Sequence, residues 1–265
     1  MDLRELRNRT IGKSSFRHPW ELARFEVVFD LIQSVLTKKS IHTILDIGCG
    51  DTFFIEQLSA RLPWAHYYGV ETAFTPELLN YYAERMQGKR FALFDTLEKA
   101  ASQIKSEISV VLLLDVIEHI EDDIGFLKSI QKFEPITENT IFVITVPAYQ
   151  CLFCSHDVFL KHYRRYNNKS LLAVIAEAGL DATDVGYFFS SLLPVRILQV
   201  AIERISHQPG IPSTGLVKWN GGELKSNFLK KLLYLDFKAA NWIKERLGLN
   251  IPGLSNYCLC KRVVS

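Results

Sequence analysis

The chain has 265 residues, 48% of them hydrophobic and 23% charged, enough for one large α/β domain with an insertion or for two small domains. A net charge of +2 gives no global electrostatic case for nucleic-acid binding. The charged start Met1-Asp2-Leu3-Arg4-Glu5 does not read as a secretory signal, and the longest apolar stretch, 185–195, falls short of the about 18 residues that span a bilayer. Five cysteines without regular spacing suit a reducing compartment, so the expectation is a cytoplasmic protein with at most peripheral membrane contact.

A basic leader over 4–17 precedes a predicted helix over 20–37, where Leu22, Phe25, Val28, Leu31, Ile32 and Leu36 recur at helical spacing. Strand and helix then alternate. Strands are predicted at 43–47, 67–70, 91–94, 110–114 and 140–146, and helices at 53–62, 76–87, 97–104 and 122–133. Such alternation implies a parallel sheet with helices on both faces. Asn167-Asn168-Lys169-Ser170 reads as a helix start, continuing over 171–178 to a stop at Gly179, and a strand follows at 182–188. Between it and a last strand at 256–263 lie two helices, 193–205 and 225–247, joined through a loop holding 207–212 and Asn220-Gly221-Gly222. The organisation is an N-terminal helical cap (1–40), a central domain (41–189 with 256–265) and a helical insertion (190–255). The insertion is read as a substrate lid or a homodimer contact, with padding of the core as the alternative.

Three strands end in chemistry. Ile44-Leu45-Asp46-Ile47-Gly48-Cys49-Gly50-Asp51 closes in a glycine loop, Tyr67-Tyr68-Gly69-Val70 runs into Glu71, and the run from Val110 to Leu114 meets Asp115-Val116-Ile117-Glu118-His119. Open α/β sheets bind ligands at these carboxyl ends, and glycines without Cβ let the backbone approach a ligand closely. Glu71 is placed to accept hydrogen bonds from a ribose diol, which makes this a nucleoside-cofactor site. A nicotinamide fold requires a third glycine where Phe53 stands.

Asp46-x-Gly48-x-Gly50, Glu71 and the 115–119 segment resemble the signature of class I S-adenosylmethionine-dependent methyltransferases of the small-molecule type. Ser155-His156-Asp157 and His162-Tyr163-Arg164-Arg165-Tyr166 resemble an element of a bacterial subgroup that carries HYRRY after the fifth strand. The resemblance spans roughly 40–190 and, loosely, the last strand. It departs from the family at Thr52, where a further glycine is common: a wider loop or a binding role for the hydroxyl are both open.

The resemblance implies a doubly wound, Rossmann-like sheet of seven strands, the last antiparallel beside the fifth, with a helical insertion before it. It implies S-adenosylmethionine as methyl donor and S-adenosylhomocysteine as product. Asp46, Gly48, Cys49, Gly50 and Glu71 would cradle the cofactor, with Phe94 and Asp95 at the adenine and Asp115 and Val116 facing it; for Asp95 a helix cap is the alternative. The catalytic candidates are His156, beside Asp157, His119 and Tyr163, with His162 a further candidate for a base. Arg164, Arg165 and Tyr166 are the substrate candidates, with bracing of the loop as the other role. The activity expected is methylation of a small molecule or of a group on a lipid or glycan precursor, and the aromatics and arginines after the fifth strand suit an amphipathic, anionic acceptor. A second reading is a non-catalytic subunit that senses the cofactor. No metal centre is expected: Cys151-x-x-Cys154 with Cys258 and Cys260 reads as core cysteines rather than a zinc site.

Overall fold

The computed structural model describes residues 17–37, 40–206, 219 and 221–263. Most of the expected basic leader, Lys38, Lys39 and the 207–212 loop lie outside the described residues. Among the described residues no helix is long and apolar enough to cross a membrane.

In chain order the elements are α1 (Pro19–Val35), β1 (Thr43–Ile47), α2 (Phe53–Arg61), β2 (His66–Val70), α3 (Pro76–Arg85), β3 (Phe91–Phe94), α4 (Leu97–Gln103) and β4 (Val110–Leu114). After these come α5 (Asp123–Ile130), β5 (Ile141–Pro147), α6 (Ser155–Leu160), α7 (Asn168–Glu177), β6 (Leu180–Phe188), α8 (Leu193–Ser206), α9 (Gly222–Leu247) and β7 (Ser255–Arg262). The seven strands form one sheet in the order β3-β2-β1-β4-β5-β7-β6. β7 pairs antiparallel with both β5 and β6, while β1 to β5 pair parallel among themselves. The direction of winding reverses between β1 and β4, the place where such sheets hold ligands.

Alternation along each strand divides the core into two layers, since successive side chains point to opposite faces. Val110, Leu112 and Leu114 join the layer under α1, α2 and α9, and Val111 and Leu113 join the one under α4, α5 and α7. Cys258 and Cys260 are small buried members of the second layer, and all five cysteines are free thiols.

The insertion divides its duties. α9 lies along α1, with Leu233 and Phe237 in the first layer and Lys230 and Lys238 bonded to Glu26 and Asp30. α8 faces the segment after β5, where Arg204 donates to the Cys151 carbonyl (2.7 Å) and the Ser155 N–H to Glu203 (2.9 Å). The short helix α6 has no counterpart in the sequence reading. It starts where the Asp157 carboxylate accepts the Cys154 N–H (3.0 Å) and stops at Lys161, in the left-handed region at φ 61°.

Candidate active site

The donor side is built at the ends of β1, β2 and β3. Gly48 and Gly50 take φ 77° and 56°, and a Cβ on Gly48 would stand 2.7 Å from Val116 Cγ2. The Val70 carbonyl accepts the N–H groups of Gly48 (2.8 Å) and Cys49 (3.1 Å), turning the loop back over β2. Glu71 then accepts the N–H groups of Gly50 (3.2 Å) and Ala73 (3.1 Å), which hold its carboxylate beside that loop. Thr52 adopts φ 64° and is fully buried, with its hydroxyl within reach of the Asp51 carbonyl (2.6 Å) and Glu56 (2.7 Å). The loop keeps the turn a glycine would make, and the hydroxyl is used internally.

Asp46, buried at the end of β1, has its carboxyl pushed up to about 7 by burial and by Glu71 against the pull of Arg24. Burial likewise raises the Cys49 thiol well above its ordinary range. At the third strand, Phe94 is buried and Asp95 Oδ2 pairs with Lys99 (2.7 Å), while its buried Oδ1 has no partner among the described residues. The cap of α4 is Thr96, not Asp95.

On the other side, at the ends of β4 and β5, two loops are fastened together. Asp115 stands at φ 58°, with Arg24 of α1 on its Oδ2 (2.9 Å) and the Thr145 hydroxyl on its Oδ1 (3.2 Å). The Tyr163 N–H donates to the Glu118 carbonyl (2.7 Å), Tyr166 Oη donates to Asp123 (2.7 Å), and the rings of His119 and His162 meet edge to face at 4.6 Å. Asp157, fully buried, takes His162 Nδ1 and Arg165 Nε on one oxygen, each at 2.8 Å. Burial works against ionisation of Asp157, yet His162 and Arg165 hold its carboxyl well below the usual range. Burial and the nearby Asp115 push Glu118 the opposite way, well up.

A methyltransferase domain family matches residues 20–189, well over half of the chain. The chain belongs to this methyltransferase domain family. Among solved structures, the methyltransferase domain of bacterial CtHen1-C is similar over 92% of this chain and 99% of its own, at 14% identity and a TM-score of 0.52. The [4+2]-cyclase SpnF matches over 99% and 94% at 15% identity and a TM-score of 0.56. Coclaurine N-methyltransferase, bound to N-methylheliamine and S-adenosylhomocysteine, matches over 91% and 72% at 10% identity and a TM-score of 0.55. No curated protein sequence matches. The protein is an S-adenosylmethionine-dependent methyltransferase. The cradle fits that cofactor: the glycine turn leaves the backbone bare, and Glu71 is fixed at the end of β2.

In this methyltransferase the sequence-predicted acceptor residues are placed less simply. His156 does not receive the carboxylate beside it, because neighbours on a helix diverge by about 100° and Asp157 turns toward His162. Instead, burial and Arg196 hold the His156 imidazole low, and its buried Nδ1 has no partner among the described residues. Tyr163 is 52% exposed. Arg165, expected as a substrate ligand, is buried and bonded to Asp157 and the Ala148 carbonyl (3.2 Å). Arg164 bonds the Glu121 carbonyl (2.7 Å) and Asp123 (2.9 Å), and Tyr166 is buried in the second core layer. Sequence reasoning missed Arg24 and the pairing of Asp157 with His162, a histidine it offered as a base candidate without that partner. A cation among the apolar positions of the 20–37 helix was the available signal for Arg24. A depression of about 390 Å³ between α3 and β3, lined by Leu79, Tyr82, Met86 and Phe91, contains none of the motif residues.

Proposed function

We propose that the enzyme methylates a small molecule with an apolar body and one nucleophilic heteroatom, bound over the ends of β4 and β5 between α1, the 156–166 segment and α8. The observation that carries this is the fastening of the 115–119 and 162–166 motifs into one unit, with His119 and His162 in ring contact at its centre. α8 adds apolar surface, because Val195, Ile197, Leu198 and Ile202 are exposed on a helix tied to residues 151–157. Placement in the bacterial HYRRY subgroup is part of the same reading. The engagement of Arg164 and Arg165 with protein groups removes the argument for an anionic acceptor that rested on them.

S-adenosylmethionine, when bound, supplies an electrophilic methyl on a sulfonium. The protein's task is alignment and exclusion of water, which contribute up to about 7–11 kcal/mol in favourable cases. Glu71 orients the ribose, the Gly48–Gly50 turn admits the amino acid portion, and Arg24 with Asp115 closes the floor between them and the acceptor. Where the acceptor must lose a proton, an imidazole at its heteroatom adds typically about 10²–10⁴-fold. His162, with Nδ1 fixed by Asp157, presents its other nitrogen for that purpose, with His119 beside it and His156 and Tyr163 at the rim.

Methyl-labelled S-adenosylmethionine incubated with the enzyme and a cell extract tests the reading. Label is expected in solvent-extractable small molecules and, with S-adenosylmethionine kept well below saturation, reduced about tenfold or more in Glu71→Ala; label confined to protein or nucleic acid would overturn it.

A further inference from the structure

At the acceptor end, one ligand atom each from Glu118, His119 and His162 lies within 4.8 Å of the other two. Glu118 is fully buried, and neither of its carboxylate oxygens has a hydrogen-bond partner among the described residues. A buried carboxylate without a partner costs several kcal/mol, so such a group either keeps its proton or receives a cation. The neighbouring guanidinium groups attract Glu118 from a distance without bonding it, since Arg24 bonds Asp115 and Thr145 and Arg165 bonds Asp157 and the Ala148 carbonyl.

The second observation is the presentation of His162. Its Nδ1 is held at 2.8 Å by Asp157 Oδ1, leaving Nε2 as the nitrogen available to a ligand. A histidine that binds a metal almost always gives its other nitrogen to a carboxylate or carbonyl in this way, which fixes the ring and raises its basicity. Asp157 is itself locked by Arg165 and by the Cys154 N–H. His119 follows Glu118 directly in a short 3-10 turn, so the two ligands on that loop move together.

We propose that Glu118, His119 and His162 bind one divalent first-row transition-metal cation, with Asp157 as the positioning residue. Two imidazoles and one carboxylate favour ions such as Mn²⁺, Fe²⁺, Co²⁺ or Zn²⁺ over Mg²⁺ or Ca²⁺, which prefer all-oxygen shells. Bonds of about 2.0–2.2 Å require ligand atoms about 3.0–3.5 Å apart, so modest side-chain rotation closes the set around an ion. Three protein ligands leave coordination positions for an oxygen of the acceptor, whose proton the ion would make easier to remove; with the ion bound, His162 Nε2 is a ligand, and the ion takes over the role given above to that nitrogen. That role rests on the acceptor placement proposed above; the binding of the ion does not.

The test uses tag-free enzyme stripped with a chelator and then titrated with Co²⁺, followed by its visible absorption bands. Expected is saturation at one ion per chain, weakened at least tenfold by Glu118→Gln and by His162→Gln, and about 10–100-fold by Asp157→Asn. S-adenosylhomocysteine affinity, measured on the same samples, shows that each variant is folded. His119→Gln, with its ligand on the other loop from His162, decides the case should one of the others fail to fold. Absence of bands at millimolar Co²⁺, or equal Co²⁺ affinity in all folded variants, would overturn the site. In that event Glu118 is a neutral acid that glutamine replaces without loss. Wild-type enzyme that binds Co²⁺ but transfers methyl to small molecules equally well when stripped and when reloaded would instead sink the role at the acceptor and leave the metal site standing.

Discussion

The two sides of the active site are made by different means. Around Gly48–Gly50 and Glu71 the polar groups are backbone N–H and carbonyl groups from β1 and β2, completed by a carboxylate that leans on them. Around Asp115 and Asp157 they are buried and half-buried side chains that pair with one another, Arg24 with Asp115 and Arg164 with Asp123 across distant stretches of chain and Arg165 with Asp157 nearby in sequence. A side made of backbone loses binding when one side chain is removed, and little else. A side made of buried charges loses stability first, because each deletion strands a partner.

The largest effect should come from the second kind. Asp157→Ala leaves Arg165 buried without its counter-charge, and we expect a loss of about 3–5 kcal/mol in chemical denaturation. Because Asp157 is depressed in the folded chain, its contribution is present above the unfolded value of about 4 and is lost as pH falls through the folded one. The variant's deficit should therefore shrink in acid; a deficit that stays constant down to pH 3 would break the comparison.

Asp46 offers the opposite sign. Its folded carboxyl is raised to about 7, so ionisation costs the wild type stability increasingly from about pH 4 to 7 and no further above that. Stability of Asp46→Asn relative to wild type should climb by on the order of a few kcal/mol across that window and then level. A flat difference would show that Asp46 is not desolvated.

Glu71→Ala should cost about 1.5–3 kcal/mol of S-adenosylhomocysteine affinity by calorimetry, with a smaller change in unfolding free energy. Equal losses would mean that the donor side is a network as well. Arg164→Ala is the mildest case, since the guanidinium is one-third exposed: about 1 kcal/mol of stability, with cofactor affinity unchanged. Intact stability with slowed product formation would return this arginine to direct acceptor contact.

The sequence was legible where continuous apolar runs end in Gly or Asp, because both the strand and its stop are local properties. β1, β3 and β4 occupy the expected residues, as does the sheet layout with β7 antiparallel to β5. α1 stops at Val35, short of 37, and α5 spans Asp123–Ile130 rather than 122–133, because helix ends depend on caps that apolar spacing does not register. β6 begins at Leu180, two residues early, paired to Arg262. What stayed hidden is tertiary. Adjacency suggested His156 for Asp157, and only the fold brings His162 to it. Nothing local shows that an arginine in the first helix meets an aspartate 91 positions later, or that α9 lies along α1.

The place of β7 between β5 and β6 also constrains how the molecule comes into being. While residues 255–262 are still inside the ribosome, β5, whose residues from Ile141 to Val146 are all buried in the finished sheet, presents a bare edge, and so does β6. Unpaired apolar edges are where nascent chains associate wrongly. The wedge that arrives after both its neighbours is thus the step that seals the sheet, and a pause or truncation before it leaves six strands made and two apolar edges open.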